Sequence, residues 1–139
     1  MKTGKFHHFP VGMSTTKGTV NFSKPLNPEH VSMRQGSHAN MGDTITVQVD
    51  TLKNLLLQNG HTHIDILKID VENSEYDILE DLIQMRYFPF SQLLVEFHDI
   101  EQEKYKSRLH AILIGLALNG FVVTNNNAMT EMSFERIWS

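Results

Sequence analysis

The sequence predicts an α/β domain whose parallel sheet is closed by an antiparallel final strand. Three observations carry this reading. From residue 44 onward, β-branched strand patterns alternate with amphipathic helical patterns, which implies a parallel sheet covered by helices on both faces. The run Ile64-Asp65-Ile66-Leu67-Lys68-Ile69-Asp70-Val71-Glu72 reads as a buried parallel strand that ends in carboxylates. The connection 125–131 is too short to hold a crossover helix, so the strand after it must run antiparallel.

The elements follow in order. Residues 6–13 and 19–22 are short apolar or β-branched runs separated by Ser14-Thr15-Thr16-Lys17-Gly18, and predict a strand, a turn and a returning strand. Residues 24–43 are rich in Pro, Asn, Ser, Gly and His without any period, and read as an irregular loop, either substrate-facing or a plain connector. A strand is expected over 44–49. Asp50 or Thr51 then caps a short helix through Gln58, with Leu52, Leu55 and Leu56 on one face and Gly60 as its stop. After the strand 64–71, Ser74 and Asp77 form a capping-box pattern opening a helix. Its buried stripe is Tyr76, Leu79 and Ile83, joined by Ile78 and Leu82, and Pro89 ends the segment. A strand over 92–98 and a long helix over 101–118 come next, the helix packing through Tyr105, Leu109, Ile112, Leu113 and Leu116. Asn119-Gly120 supplies a left-handed stop, and strands over 121–124 and 132–138 flank an Asn-rich turn.

Composition narrows the function. The chain has 139 residues, the usual size of one domain, with 40% hydrophobic and 20% charged residues. A net charge of -4 offers no basic face for nucleic acid. The longest apolar run, 111–118, is too short to cross a bilayer, and no apolar leader is visible at the N-terminus. A soluble, cytoplasmic protein is therefore expected, although the lack of cysteine does not itself identify a compartment. It does exclude a disulfide, a thiolate metal site and a cysteine nucleophile.

Ligands of open parallel sheets bind beyond the carboxyl ends of the strands. Two strands here end in charged groups at that edge, one with Asp70 and Glu72, the other with Glu96, His98 and Asp99. If the strands are neighbours, four carboxylates and one imidazole converge on one crevice, where crowding makes one of them a proton acceptor. Each has a plainer alternative. Asp70 could accept N–H groups of the following turn, Glu72 could complement the positive end of the next helix, and His98 could be a satisfied strand-end histidine. Lys68, inside the strand, is expected to pair with a nearby carboxylate. His61 and His63 with Asp65 have chelating spacing but lie toward the amino end of the strand, so a solvated loop is the better reading and no metal site is expected. A phosphoacceptor role for Asp70 is disfavoured, because the acidic pair and late lysine it requires are missing.

The segments Val49-Asp50-Thr51-Leu52, then Ile64 through Leu79, then Leu94-Val95-Glu96-Phe97-His98 resemble the FkbM-like methyltransferases and the related methyltransferase-like domains of animals. The family pattern runs T-L-D, L-K-I-D-V-E-G-x-E and V-E-x-H at similar intervals. The resemblance implies a Rossmann-like seven-stranded methyltransferase sheet and S-adenosylmethionine as cofactor. It implies catalytic roles for Asp70, Glu96 and His98, with Asp70 nearest the cofactor and Glu72 and His98 on a small-molecule acceptor, where methyl transfer goes to an oxygen of a sugar or other small acceptor. Two positions depart from the pattern. Asn73 replaces the glycine, and Asn best tolerates the positive φ that glycine serves there. Lys53 replaces the acid after Thr-Leu, a reversal expected to be exposed and mild. A further departure is larger: no glycine-rich loop and no following acid-ended strand occur. The chain therefore looks like the C-terminal two-thirds of such a domain, with the N-terminal βαβ unit missing, and is expected to bind the cofactor weakly and to be inactive alone. A non-catalytic interaction or regulatory module that kept the fold is the alternative. An incomplete sheet also exposes a strand edge, through which self-association is expected.

Overall fold

The computed structural model describes residues 4–23, 34–35 and 43–139. The irregular loop expected at 24–43 lies outside the described residues, except that Arg34–Gln35 form a two-residue strand and Asp43 adjoins a strand. Among the described residues, three helices and eight strands make a mixed α/β fold, with the strands in two four-stranded sheets. They do not form one continuous sheet.

The first sheet contains β1 (Gly12–Met13), β2 (Gly18–Ser23), β3 (Arg34–Gln35) and β4 (Thr44–Asp50), in the order β1-β4-β2-β3. The expected strand–turn–strand at its start is thus corrected. β4 inserts between β1 and β2, parallel to the first and antiparallel to the second. Pro10 has no N–H to give a ladder, and only Gly12 and Met13 pair.

α1 (Leu52–Gln58) begins as expected: the Thr51 hydroxyl accepts from the Asn54 N–H at 3.2 Å. Asp50 supports the same turn. Its carboxylate accepts from Asn54 Nδ2 and Thr51 N, both at 2.8 Å, and from Gln58 Nε2 at 3.1 Å. The Asn54 hydrogen bond above all holds the Asp50 pKa below its ordinary 3.8. Stability from such a group is whole above that value and fades as the pH falls through its lowered one. The advantage of the native chain over Asp50→Asn in urea melts is therefore expected to shrink between about pH 5 and pH 3. An advantage that holds constant across that range would remove the carboxylate from this role. Lys53, beside it, is exposed as expected.

The second sheet contains β5 (Ile64–Ile69), β6 (Phe90–Glu96), β7 (Phe121–Asn127) and β8 (Glu131–Arg136), ordered β5-β6-β8-β7. β5 and β6 are parallel, and β8 runs antiparallel to both β6 and β7, as the short connection requires. β6 starts two residues earlier than expected and ends before His98. The turn between β7 and β8 falls at Ala128 and Met129, both at positive φ, while Asn125 to Asn127 belong to the ladder.

The helices α2 (Ser74–Met85) and α3 (Glu103–Leu118) join α1 in covering one face of this sheet only. The row Leu67, Leu93, Phe134 and the row Ile69, Val95, Met132 are buried in one core with Leu52, Leu79, Leu82, Leu109, Ile112 and Leu116. The alternate row, Ile66, Gln92, Glu135 and Val122, is exposed on the opposite face. Helices on both faces, expected from the alternation, are thus not found among the described residues. β5 also sits at the sheet's edge, and Ile66 is 55% exposed, so the strand is half-buried rather than enclosed. Lys68 is correspondingly exposed and makes no ion pair among the described residues, because the uncovered face leaves it in water.

The Ser74 capping box does not form. Asn73 is the N-cap, in the left-handed region at φ 74, and Ser74 is the first helical residue. Asp77, freed from capping, accepts from Arg108 of α3 at 2.6 Å, while Glu80 takes the same guanidinium through both oxygens at 2.8 and 2.7 Å. This fork pins α2 to α3 above the core. Asn73 does adopt the positive φ inferred from its replacing glycine.

Candidate active site

Parallel pairing brings the carboxyl ends of β5 and β6 side by side, and the polar groups expected there do meet. Asp70 is the first residue past β5, Glu96 the last of β6, and His98 lies two residues beyond. His98 Nε2 faces three carboxylates: Glu72 Oε1 at 3.5 Å, Asp70 Oδ1 at 3.7 Å and Glu96 Oε1 at 3.8 Å. Asp99, the fourth acid expected in the crevice, turns away and accepts from Asn73 Nδ2 at 2.8 Å, tying the two turns together.

The fourth carboxylate is instead Glu75, which the sequence reading did not select. It is wholly buried in the first turn of α2. Its Oε1 accepts from the His98 backbone N–H at 2.8 Å and lies 3.1 Å from His98 Nδ1. A buried carboxylate at that nitrogen makes Nδ1 the donor and turns Nε2 toward Asp70, Glu72 and Glu96. The next residue, Tyr76, donates its hydroxyl to the His98 carbonyl at 2.5 Å. Two successive residues of α2 therefore hold the backbone and ring of His98. From the other side, the Phe97 N–H donates to Thr130 O at 2.6 Å, so the β7–β8 turn fixes the end of β6.

One sequence signal did mark Glu75: it is the last acid of the Asp70-Val71-Glu72-Asn73-Ser74-Glu75 motif. Its burial is a tertiary property. An acid in a first helical turn ordinarily reads as a surface group favoured by the helix dipole.

The electrostatics follow from the crowding. Glu96 has a raised pKa, first because burial disfavours its charge and then because the negative charge of Asp70 repels it. Burial pulls His98 downward, but Glu75, Glu72 and Glu96 outweigh it and its pKa is raised. The turns that carry these groups hold unusual backbone, with Glu72 at φ 41 and Asp99 at φ 53 beside Asn73. Such strain gathers at functional sites because the surroundings must enforce it.

Beside the cluster a cavity of about 230 Å³ opens between the two sheets, lined by Asp70, Val71, Glu72 and Ser74 and by Gly12, Met13, Val20, Phe22 and Val49 from the first sheet. A larger, mainly apolar cavity of about 460 Å³ lies between α1 and α2 and contains none of the clustered groups. The His61 and His63 region gathers no metal-ligating group among the described residues, and His63 Nε2 instead lies 2.9 Å from Ser91 Oγ.

The domain is of the α/β class, and the edge beyond the carboxyl ends of parallel strands is where open sheets of that class generally take ligands. Residues 2–127 match the methyltransferase FkbM domain, and the chain belongs to that family. Comparison with curated proteins and with solved structures yields no match.

Proposed function

We propose that the domain serves methyl transfer from S-adenosylmethionine to an oxygen of a sugar or other small acceptor. The observation that carries this is the junction of Asp70, Glu72, Glu96 and His98 at the carboxyl ends of β5 and β6, on the rim of the inter-sheet cavity, in a chain of the FkbM family. The β5-β6-β8-β7 order supports reading this sheet as the closing half of a seven-stranded Rossmann-like sheet.

The residues fit the cofactor in part. A cavity of about 230 Å³ is smaller than the roughly 300–1,000 Å³ that encloses a ligand with a nucleoside. Asp70, at the rim of the cavity, would meet the donor end of the cofactor in this reading. The cofactor supplies an electrophilic methyl group when bound. Glu72 and His98 orient the acceptor by hydrogen bonds to its hydroxyls. Asp70, Glu96 and His98 surround the position of the reacting hydroxyl, and one of them takes its proton. Glu75 and Tyr76 are positioning residues that hold His98 toward that hydroxyl.

The small cavity favours a second reading, an interaction module that keeps the fold without turnover. The two separate in one assay. Calorimetry with S-adenosylmethionine is expected to show weak binding, with saturation only in the millimolar range. At that concentration, methyl-labelled cofactor and a set of hydroxylated acceptors should give slow label transfer, reduced about 100-fold or more in Asp70→Asn and in Glu96→Gln. Tight cofactor binding overturns the partial fit. Absence of transfer at saturation overturns the enzyme reading in favour of the module.

A further inference from the structure

We propose that Asp70, Glu96 and His98 bind a divalent transition-metal cation of the Mn²⁺ or Zn²⁺ type. Each offers one ligand atom, and these atoms lie within 4.8 Å of one another. The approaches to His98 Nε2, 3.7 Å from Asp70 and 3.8 Å from Glu96, are too long for hydrogen bonds. They are close to the spacing of about 3.4 Å between neighbouring ligands of a tetrahedral ion with bonds near 2.1 Å. Glu72 Oε1, at 3.5 Å, stands beside them as a further oxygen.

The imidazole is already held as a ligand is held. Its Nδ1 faces a wholly buried carboxylate, which fixes the ring and turns Nε2, where a cation would displace the proton, toward the two acids. Metal-ligating histidines characteristically donate their other N–H to a carboxylate or carbonyl in this manner.

A second observation is independent of these distances. Among the described residues, two buried side-chain oxygens have no hydrogen-bond partner, Asn73 Oδ1 and Glu75 Oε2. Both belong to the turn and helix start that follow Asp70 and Glu72, and the Glu75 carboxylate meets the Nδ1 edge of His98. Both are acceptors. Buried oxygens left without donors, in the segment that also carries Asp70 and Glu72, mark a place short of donors.

The donor set selects among cations. One imidazole with carboxylate oxygens suits Mn²⁺ or Zn²⁺, whereas Mg²⁺ and Ca²⁺ prefer oxygen alone. Asp70 is 46% exposed on its side chain, so the ion can enter from solvent and keep an open position toward the cavity. The binding stands on these groups alone. Its part in chemistry rests on the methyl-transfer reading: with the cation held by Asp70, Glu96 and His98, the acceptor oxygen would sit at the open position and Glu72, outside the ligand set, would take its proton.

The test uses the full chain, with Mn²⁺ titrated into ¹⁵N-labelled protein and Zn²⁺ affinity read by calorimetry. Paramagnetic broadening is expected to centre on the amides of residues 70–75 and 96–99. Asp70→Asn is expected to weaken Zn²⁺ binding about tenfold or more, and Glu75→Gln about 10–100-fold, the size of effect typical of an orienting partner. A paired His61→Gln, His63→Gln variant should leave the affinity unchanged. Cation-free thermal melts of each variant separate lost ligation from lost folding, and Glu75→Gln, isosteric, keeps the comparison available if Asp70→Asn is poorly folded. Broadening centred on His7, His8, His61 or His63, or affinities equal across well-folded variants, overturns the site. Methyl transfer absent while the cation still binds overturns the enzymatic reading and leaves the metal site standing.

Discussion

Replacing Tyr76 by alanine is expected to lower the unfolding free energy by about 3–5 kcal/mol, the range for truncating a fully buried aromatic side chain. Tyr76 has no exposed surface and stands where the core meets the candidate site. Its ring stacks on Tyr105 of α3 with centroids 4.9 Å apart and tilts against Phe97 at 5.7 Å. The Arg108 guanidinium lies over the same ring at 5.3 Å. The substitution therefore opens a void among three elements and loosens the base of the Arg108 fork. Tyr76→Phe isolates the hydroxyl. It keeps the packing, removes the donor to the His98 carbonyl, and is expected to cost about 1 kcal/mol. Burial pushes the phenol pKa well above its ordinary value, so the hydroxyl keeps its proton, and this bond, across neutral and mildly alkaline conditions. Urea midpoints give both magnitudes. Amide exchange adds a local readout: Tyr76→Phe should speed exchange at His98 more than in the buried part of β6, because it releases one end of that turn. Equal midpoints for Tyr76→Ala and Tyr76→Phe would show that the ring is not what closes this core.

Which parts of this arrangement were legible in the sequence follows from how local each determinant is. Helical stripes such as Tyr76, Ile78, Leu79 and Leu82 are set by a period of 3.6 residues and were read correctly. So was the antiparallel last strand, because the length of one connection decides it. Strand partners are not local. Nothing in residues 6–22 announces that β4 will enter between β1 and β2, and a hairpin was the simplest assumption. The site divides the same way. Asp70, Glu72, Glu96 and His98 were visible because strand ends are where such folds place ligands. Glu75 was missed because burial of a first-turn acid depends on what His98 brings to it from 23 residues away. The Ser74 cap gives way for a local reason: two successive residues at positive φ, Glu72 and Asn73, turn the chain so sharply that Asn73 becomes the cap. Covering of one sheet face only was also beyond a pattern argument, since Ile66 and Leu94 look like interior residues of a parallel strand.

Gly120→Ala is expected to be nearly as damaging, by about 2–4 kcal/mol, for two reasons that can be separated. Gly120 links α3 to β7 at φ +90, a conformation that costs an L-residue about 1–2 kcal/mol. The Asn119-Gly120 stop is thus realised in the glycine, while Asn119 stays at φ -104 and closes the helix through its backbone N–H. An added methyl group would also collide with the Trp138 carbonyl and approach its ring at 3.0 Å. The tail cannot simply withdraw, because Ile137 N donates to the Gly120 carbonyl at 2.8 Å and Arg136 Nε donates to the Asn119 carbonyl at 3.1 Å. Yielding there disturbs the end of β8, whose other end anchors Phe97 through the Thr130 turn. The separation comes from making the same substitution in a chain ending at Ile137. Without Trp138 the collision is gone, and only the backbone cost of about 1–2 kcal/mol should remain. If the loss is the same in both chains, the left-handed backbone alone sets the requirement for glycine, and contact with Trp138 contributes nothing to it.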